Sequence, residues 1–561
     1  MIDTSKFLLN ADLLKHRTDH QTLPKTTKDC LPFDFAFGQH RAVKAINTAL
    51  AIPTNGYHVF AVGENGLGKR TIVTHLLKER AKTEPTPNDL VYVYNFTDPR
   101  HPIALSLSAG MGATFAKDMH KLWHTLHKKL TAKFNSLGYQ NQLNNIKQHA
   151  QKTEMQLMDS VNEIAKTHNL SLLQTQEQKA IFSPIDENIP VNQEAINKLQ
   201  KELNKINVTL DDLEDKINEQ IDELHETIAI KISEPLFNPL IKKYPNKTLQ
   251  NYLKNYQQDI CDNILAIIDN DEEFLSSSLN NVPSRYFVNV LISHDKDMGA
   301  PIVFEDMPTH PNLLGHIEYI TQLGTIFTDA SMIRAGALHR ANGGYLLLEA
   351  SSLLEHPYAW QGLKRALQSK QIKISSLEQM LTLTGSVSLE PDSVELSVKV
   401  ILLGEPDLYY ELLEFEPEFN AVFKIRADFH DTIIRNTDNE ILLMSKIGDM
   451  AKGMNLLPFD NTACAAILDE LSRLADNKNK LALHSDRLGQ ILAESSRHAR
   501  VDNKRIVNKN HISAALTDMI ERKSYLQELY WQEIENGQQL INTKGKAVGQ
   551  INALTVISYA D

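Results

Sequence analysis

Gly63-Glu64-Asn65-Gly66-Leu67-Gly68-Lys69 decides the fold. It matches the phosphate-loop pattern G-x-x-x-x-G-K. Before it runs the β-rich stretch Tyr57-His58-Val59-Phe60-Ala61-Val62, and after it Thr71 to Arg80 has a helical pattern. A loop between a strand and a helix brings together what phosphate oxygens need: backbone N–H groups, the positive end of a helix dipole, and the Lys69 ammonium. A glycine-rich turn with a chance lysine would have the same letters but not the same flanks. Gly63, Asn65, Gly66, Gly68, Lys69, Arg70 and Thr71 are therefore candidate nucleotide-binding residues, with ATP as the expected ligand.

One position departs from the pattern. The residue after the lysine is ordinarily Ser or Thr, whose hydroxyl ligates Mg²⁺. Here it is Arg70, and Thr71 follows one place later. A helix turns about 100° per residue, so Thr71 is no simple replacement. A second strand ending in an acid is also needed, and Gly343-Gly344-Tyr345-Leu346-Leu347-Leu348-Glu349-Ala350 supplies one. Four bulky residues and then Glu349 resemble a Walker B strand, with Glu349 as the candidate metal and catalytic acid. A solvated strand-end acid is the plainer alternative. The next position, which usually carries the glutamate that polarises the attacking water, is Ala350; that predicts slow hydrolysis.

Working outward, residues 1–105 read as the first part of an α/β domain. Leu31-Pro32-Phe33-Asp34 leads into a helix at Ala42 to Leu50, and Val91-Tyr92-Val93-Tyr94 reads as the next strand of a parallel sheet. Residues 106–284 read as a helical insert. One helix uses Phe115, Met119, Leu122, Leu126 and Leu130. Another has a heptad seam: Ile196, Leu199, Leu203, Ile206, Leu210, Leu213 and Ile217. The seam continues with a stutter at Ile221, Leu224 and Ile228. A small β excursion at Leu170–Leu173 and Ala180–Pro184 separates these patterns. The whole predicts a helical hairpin or antiparallel coiled coil, with an ordinary helix bundle as the alternative.

Residues 285–433 return to α/β, with strands expected at Tyr286 to Ser293, Ile302 to Phe304, Tyr345 to Leu348 and Val398 to Leu403. Residues 434–530 read as a helical lid, with Asn508 or Asn510 as a helix cap. Residues 531–561 read as a linker and an apolar strand, Val548 to Tyr559.

Composition excludes several classes. The chain has 561 residues, 42% hydrophobic and 23% charged, which suits a globular protein. No run approaches the roughly 18 apolar residues of a membrane helix, and no secretion signal opens the chain. A cytoplasmic protein without membrane contact is expected. Three cysteines, Cys30, Cys261 and Cys464, have no metal-ligand spacing and form a poor disulfide framework. The net charge of −12 argues against nucleic acid as the main ligand.

Ala335-Gly336-Ala337-Leu338-His339-Arg340-Ala341-Asn342-Gly343-Gly344-Tyr345-Leu346 resembles the lead-in to the Walker B strand of Lon-like AAA+ proteases. Three more stretches are similar to that family: Pro301 to Asp306, Gly315 to Tyr319, and Val548 to Leu554. The resemblance implies a P-loop AAA+ α/β fold with a helical insert and lid, in a homo-oligomeric ring that feeds protein substrates to a Ser–Lys peptidase. Gly537 to Tyr559 looks like the lead-in to that peptidase, and the chain stops before any dyad. Residue by residue, Val400 to Gly404 resembles the sensor-1 strand, with Glu405 as its polar residue. Arg426 stands where an arginine finger would, and Arg487, in Asp486-Arg487-Leu488, resembles sensor 2; each also reads as a surface charge. His339 and Arg340 read as packing and surface charge.

Three functions compete. The first is an ATP-driven module that handles protein for proteolysis. The second is a nucleotide-gated scaffold or regulator without hydrolysis, favoured by Arg70 and Ala350. The third is a coiled-coil chromosome-maintenance ATPase, which predicts a Ser-Gly-Gly signature and usually a basic surface; the sequence has no such signature and its charge balance is acidic.

Overall fold

The computed structural model describes residues 14–33, 35–54, 56–174, 180–185, 193–269, 282–322, 325–374, 389–539, 544–549 and 551. They divide into two compact units. One comprises Met1–Ala81, Tyr345–Glu355 and Lys399–Asp561, and the other Lys82–Gly344 and His356–Val398.

In chain order come helix α1 (His40–Ala51), strand β1 (Val59–Val62), helix α2 (Lys69–Ala81), strands β2 (Asp89–Val93) and β3 (Ile103–Leu107), and helices α3 (Gly112–Phe134) and α4 (Leu137–Lys166). Strands β4 (Leu170–Gln174) and β5 (Ala180–Pro184) precede α5 (Gln193–Lys243) and α6 (Lys247–Asp262). Then follow β6 (Asn289–Ile292), β7 (Ile302–Glu305), β8 (Tyr345–Glu349), α7 (Ala350–Glu355), β9 (Lys399–Gly404) and β10 (Ile425–Asp428). The last labelled helices are α8 (Thr437–Gly453), α9 (Asn461–Leu474), α10 (Ser485–Val501), α11 (Lys509–Glu521) and α12 (Tyr525–Glu535).

In the first unit β10, β1, β9 and β8 lie side by side in that order, all parallel. β1 sits between neighbours: Val59 registers with Ile401 on one side and Ile425 on the other. All four of its residues are buried, as expected of a parallel strand covered on both faces. β9 ends at Gly404, where a Cβ would lie 2.5 Å from the Phe60 ring, so glycine leaves that ring its room.

Helices α8 to α11 form the lid. Three of them start on a side-chain cap: Asn436 accepts from Asn439 N–H at 2.8 Å, Asp460 from Ala463 N–H at 2.8 Å, and Asn508 from Asn510 N–H at 3.0 Å. Below the caps Cys464, Ile467, Leu468, Leu488 and Ile491 are buried. Arg435, its side chain only 1% exposed, is held by Glu440 and Asp469, each at 2.8 Å. Asp469 also accepts from Thr18 N–H at 2.9 Å, so residues near the N-terminus are tied to the lid. The strand expected at Val548 to Tyr559 falls almost wholly outside the described residues.

The second unit corrects one expectation. Val91–Tyr94 was expected to continue a parallel sheet; instead β2 lies between β3 and β6, antiparallel to both. The reason is local. Only Tyr94 to Pro102 joins β2 to β3, too short for the crossover that parallel neighbours require.

The helical insert packs Phe115, Trp123, Tyr252, Tyr256 and Tyr286 into one core. Helices α4 and α5 pack against each other, and β4 and β5, which pair antiparallel, lie between them in the chain. Along the α5 seam Leu199, Leu203 and Ile228 are buried, but Ile206, Leu210, Leu213, Ile217 and Ile221 are only half-buried. α5 also runs through Pro235 and Pro239.

Candidate functional site

The phosphate loop begins where β1 ends. Gly63 N–H donates to the Gly404 carbonyl at 3.1 Å, and a Cβ on Gly63 would lie 2.9 Å from Phe429 Cβ. Gly66 and Gly68 have φ of +82° and +78°. That left-handed region strains any residue with a Cβ, and turns of this kind form anion-binding concavities from backbone amides. Lys69 opens α2 and is buried. Its Nζ donates to the carbonyls of Gly63, of Glu64 at 3.0 Å and of Gly404 at 3.4 Å. Burial pushes the Lys69 ammonium below its ordinary pKa, while Glu349, Glu405 and Glu64 pull it back up.

Glu349 stands at the end of β8, half-buried. Burial lifts its carboxyl above the usual carboxylate range, and Lys69 and then Arg70 oppose the shift. Glu349 registers with Leu403 on β9, and Lys69 Nζ donates to the carbonyl of the next residue, Gly404, so the structure brings Lys69 and Glu349 to the same end of the sheet although the loop and the strand lie far apart in sequence. Arg70 and Thr71 are both exposed on the first turn of α2. Ala350, the first residue of α7, is buried. Glu405 is engaged, accepting from the Asn65 side-chain amide.

The two arginines lie apart from that cluster's hydrogen bonds. Arg426 Nε pairs with Asp428 at 2.6 Å, and its Nη1 donates to the Tyr410 hydroxyl at 3.0 Å. Its guanidinium also lies 4.9 Å from the centre of the Tyr409 ring. Arg487 Nη1 donates to Gln490 at 3.0 Å on its own helix. In the second unit His339 is buried and its Nδ1 accepts from Gly336 N–H at 3.3 Å, while Arg340 pairs with Glu305 at 2.7 Å. The glycines that follow are fixed by close packing. A Cβ on Gly343 would lie 2.5 Å from Pro87, and one on Gly344 2.2 Å from the Pro301 carbonyl oxygen.

Sequence reading missed three residues at the loop. His484 Nε2 lies 2.8 Å from Glu64 Oε2, Ser485 N–H donates to the Gly66 carbonyl at 2.7 Å, and the Asp486 carboxylate packs on Gly66. The available signal was Asp486-Arg487-Leu488, which drew attention to the arginine and not to the acid beside it.

Residues 298–430 match the LonB-like AAA domain family, residues 89–122 the Lon-like LonC helical domain, and residues 458–522 the archaeal LonB AAA+ ATPase lid domain. The AAA match takes in Glu349, Glu405 and Arg426, and the lid match takes in Arg487; the phosphate loop lies ahead of both. The Lon protease homolog of Escherichia coli K12 is 27% identical over 228 residues, 40% of this chain and 38% of that protein. The archaeal Lon protease of Thermoplasma volcanium is 24% identical over 278 residues, 48% of this chain and 41% of that protein. The alignments span about two fifths of the length of these curated relatives.

Fold, loop and lid together define a P-loop AAA+ module with a helical insert. Its AAA, helical and lid segments resemble those of Lon-like proteins. Among the described residues no helix is long and apolar enough to cross a membrane.

Proposed function

We propose that this chain is the ATP-binding module of a Lon-like ATP-dependent protease, and that it handles protein substrates for proteolysis. The observation that carries the reading is that Lys69, bonded to the Gly404 carbonyl, and Glu349, in register with Leu403, meet at one end of the sheet beside a loop with two left-handed glycines. The residues suit nucleotide phosphates: Lys69 supplies a positive charge and the glycine loop supplies amides. They suit Mg²⁺ less well. Arg70 replaces the expected hydroxyl, so Glu349 is the acid that would hold the ion. When bound, Mg²⁺ would offset charge on the phosphates. In a homo-oligomeric ring Arg426 would reach a neighbouring nucleotide only by leaving Asp428 and Tyr410. The peptidase step is assigned to no residue of this chain.

A second reading is nucleotide binding without hydrolysis, which would order a ring or gate a peptidase. Ala350 favours it, because a buried methyl beside Glu349 cannot orient an attacking water. Steady-state ATP turnover separates the two readings, measured with Mg²⁺ in the presence and absence of an unfolded protein. The first predicts turnover that unfolded protein raises and that Lys69→Ala abolishes. ATP binding without turnover would leave the gated scaffold. Turnover unchanged in Lys69→Ala would remove the loop from both accounts.

A further inference from the structure

We infer that Asp486 is a built-in competitor of the nucleotide: its carboxylate lies against the phosphate loop and must withdraw before phosphates enter. This rests on the nucleotide reading of the loop and adds to it the residue that sets its occupancy.

The contact is close and made in three places. A Cβ on Gly66 would lie 2.2 Å from Asp486 Oδ1, 2.4 Å from its Cγ and 2.6 Å from its Oδ2, so the whole carboxyl group occupies the space beside that glycine. Next to it Ser485 N–H donates to the Gly66 carbonyl at 2.7 Å, and His484 Nε2 meets Glu64 Oε2 at 2.8 Å. Three consecutive residues at the start of α10 therefore cover the loop that would cradle phosphate.

The charges say what this contact does. Glu349, Glu405 and Glu64 already act on Lys69. Asp486 adds a fourth carboxylate at the loop, beside Gly66. A triphosphate brings several more negative charges to the same loop, and although Asp486 is exposed, like charges a few ångströms apart still repel. Without nucleotide the acid is well placed. Its Oδ1 accepts from Arg487 N–H at 2.7 Å, and it sits in the first turn of α10, where the helix dipole favours a negative charge. With nucleotide it is the group that must move, next to the Ser485 and His484 contacts that join the lid to the loop.

The test is ATP titration by calorimetry, with Mg²⁺, on the full chain, comparing wild type with Asp486→Asn. Asparagine keeps the shape and the oxygen that accepts from Arg487 N–H while removing the charge, so the helix start survives. Asp486→Ala, which empties the space as well, guards against asparagine re-forming the contact. The expected result is ATP affinity about fivefold tighter in both variants, the scale of one exposed like charge removed a few ångströms away. Equal or weaker binding in both variants, with wild type still binding ATP, would overturn the competitor role and leave the nucleotide site standing. No binding by wild type or either variant would overturn the competitor role and the nucleotide reading together.

Discussion

Strand β1 and the middle of α5 are both built on bulky apolar residues, yet they bury them to different depths. Every residue of β1 is inside, with β9 on one edge and β10 on the other. Between Ile206 and Ile221 the α5 seam is only half-covered. An internal strand is enclosed from all sides, whereas a helix pair two layers thick leaves the flanks of its seam open to water. The difference matches the work each does. β1 carries a loop whose glycines and lysine must be held to fractions of an ångström. The middle of α5 carries no side chain of the candidate site.

Phe60 is the largest side chain that β1 buries. Its ring is fully buried, packed edge-on against Tyr409 and Phe419 and filling the space left by Gly404. Phe60→Ala should cost about 3–5 kcal/mol in urea unfolding. A loss under about 1 kcal/mol would mean the strand is not the rigid base described.

A smaller effect comes from pH. His58, just before β1, is held neutral by burial and by nearby Lys399, its pKa lowered to about 3, and its Nδ1 accepts from Val400 N–H at 3.0 Å. The unfolded chain takes up a proton at this residue near pH 6.5, and the folded chain does not. Its contribution is therefore complete above pH 6.5 and declines as pH falls from there toward 3, by up to about 1.4 kcal/mol per pH unit. Urea midpoints at pH 7, 6 and 5 should fall, and His58→Gln should flatten that part of the slope. A variant with the same slope as wild type would place the titrating group elsewhere.

The smallest effect belongs to α5. Leu213→Ala removes a half-buried side chain and should cost about 1 kcal/mol or less. A loss as large as that of Phe60→Ala would show that the seam is covered by more than α4.

These contrasts also explain what could be read from the chain alone. The loop, β1 and β8 are legible because each has a short signature whose meaning is local. The α5 seam is legible as a helix because its spacing is periodic, but periodicity says nothing about how deeply the seam is covered. β2 reads as a strand and yet joins a different sheet, since pairing depends on the length of the connection that follows. The lid contact with the loop was out of reach: His484 and Glu64 meet across 420 residues of sequence, and no local pattern announces an acid that will sit on a glycine so far upstream. Arg426 and Arg487 read as candidates from resemblance; their hydrogen bonds to Asp428, Tyr410 and Gln490 could come only from the structure.

The central claim is that Gly63 to Lys69 is a working nucleotide site, and direct ATP binding to wild type beside Lys69→Ala tests it most simply. Wild type should bind ATP, and the variant should bind at least about tenfold more weakly, the scale of one charge-assisted contact to phosphate. Binding that is equally tight in both, or absent from wild type, would contradict it.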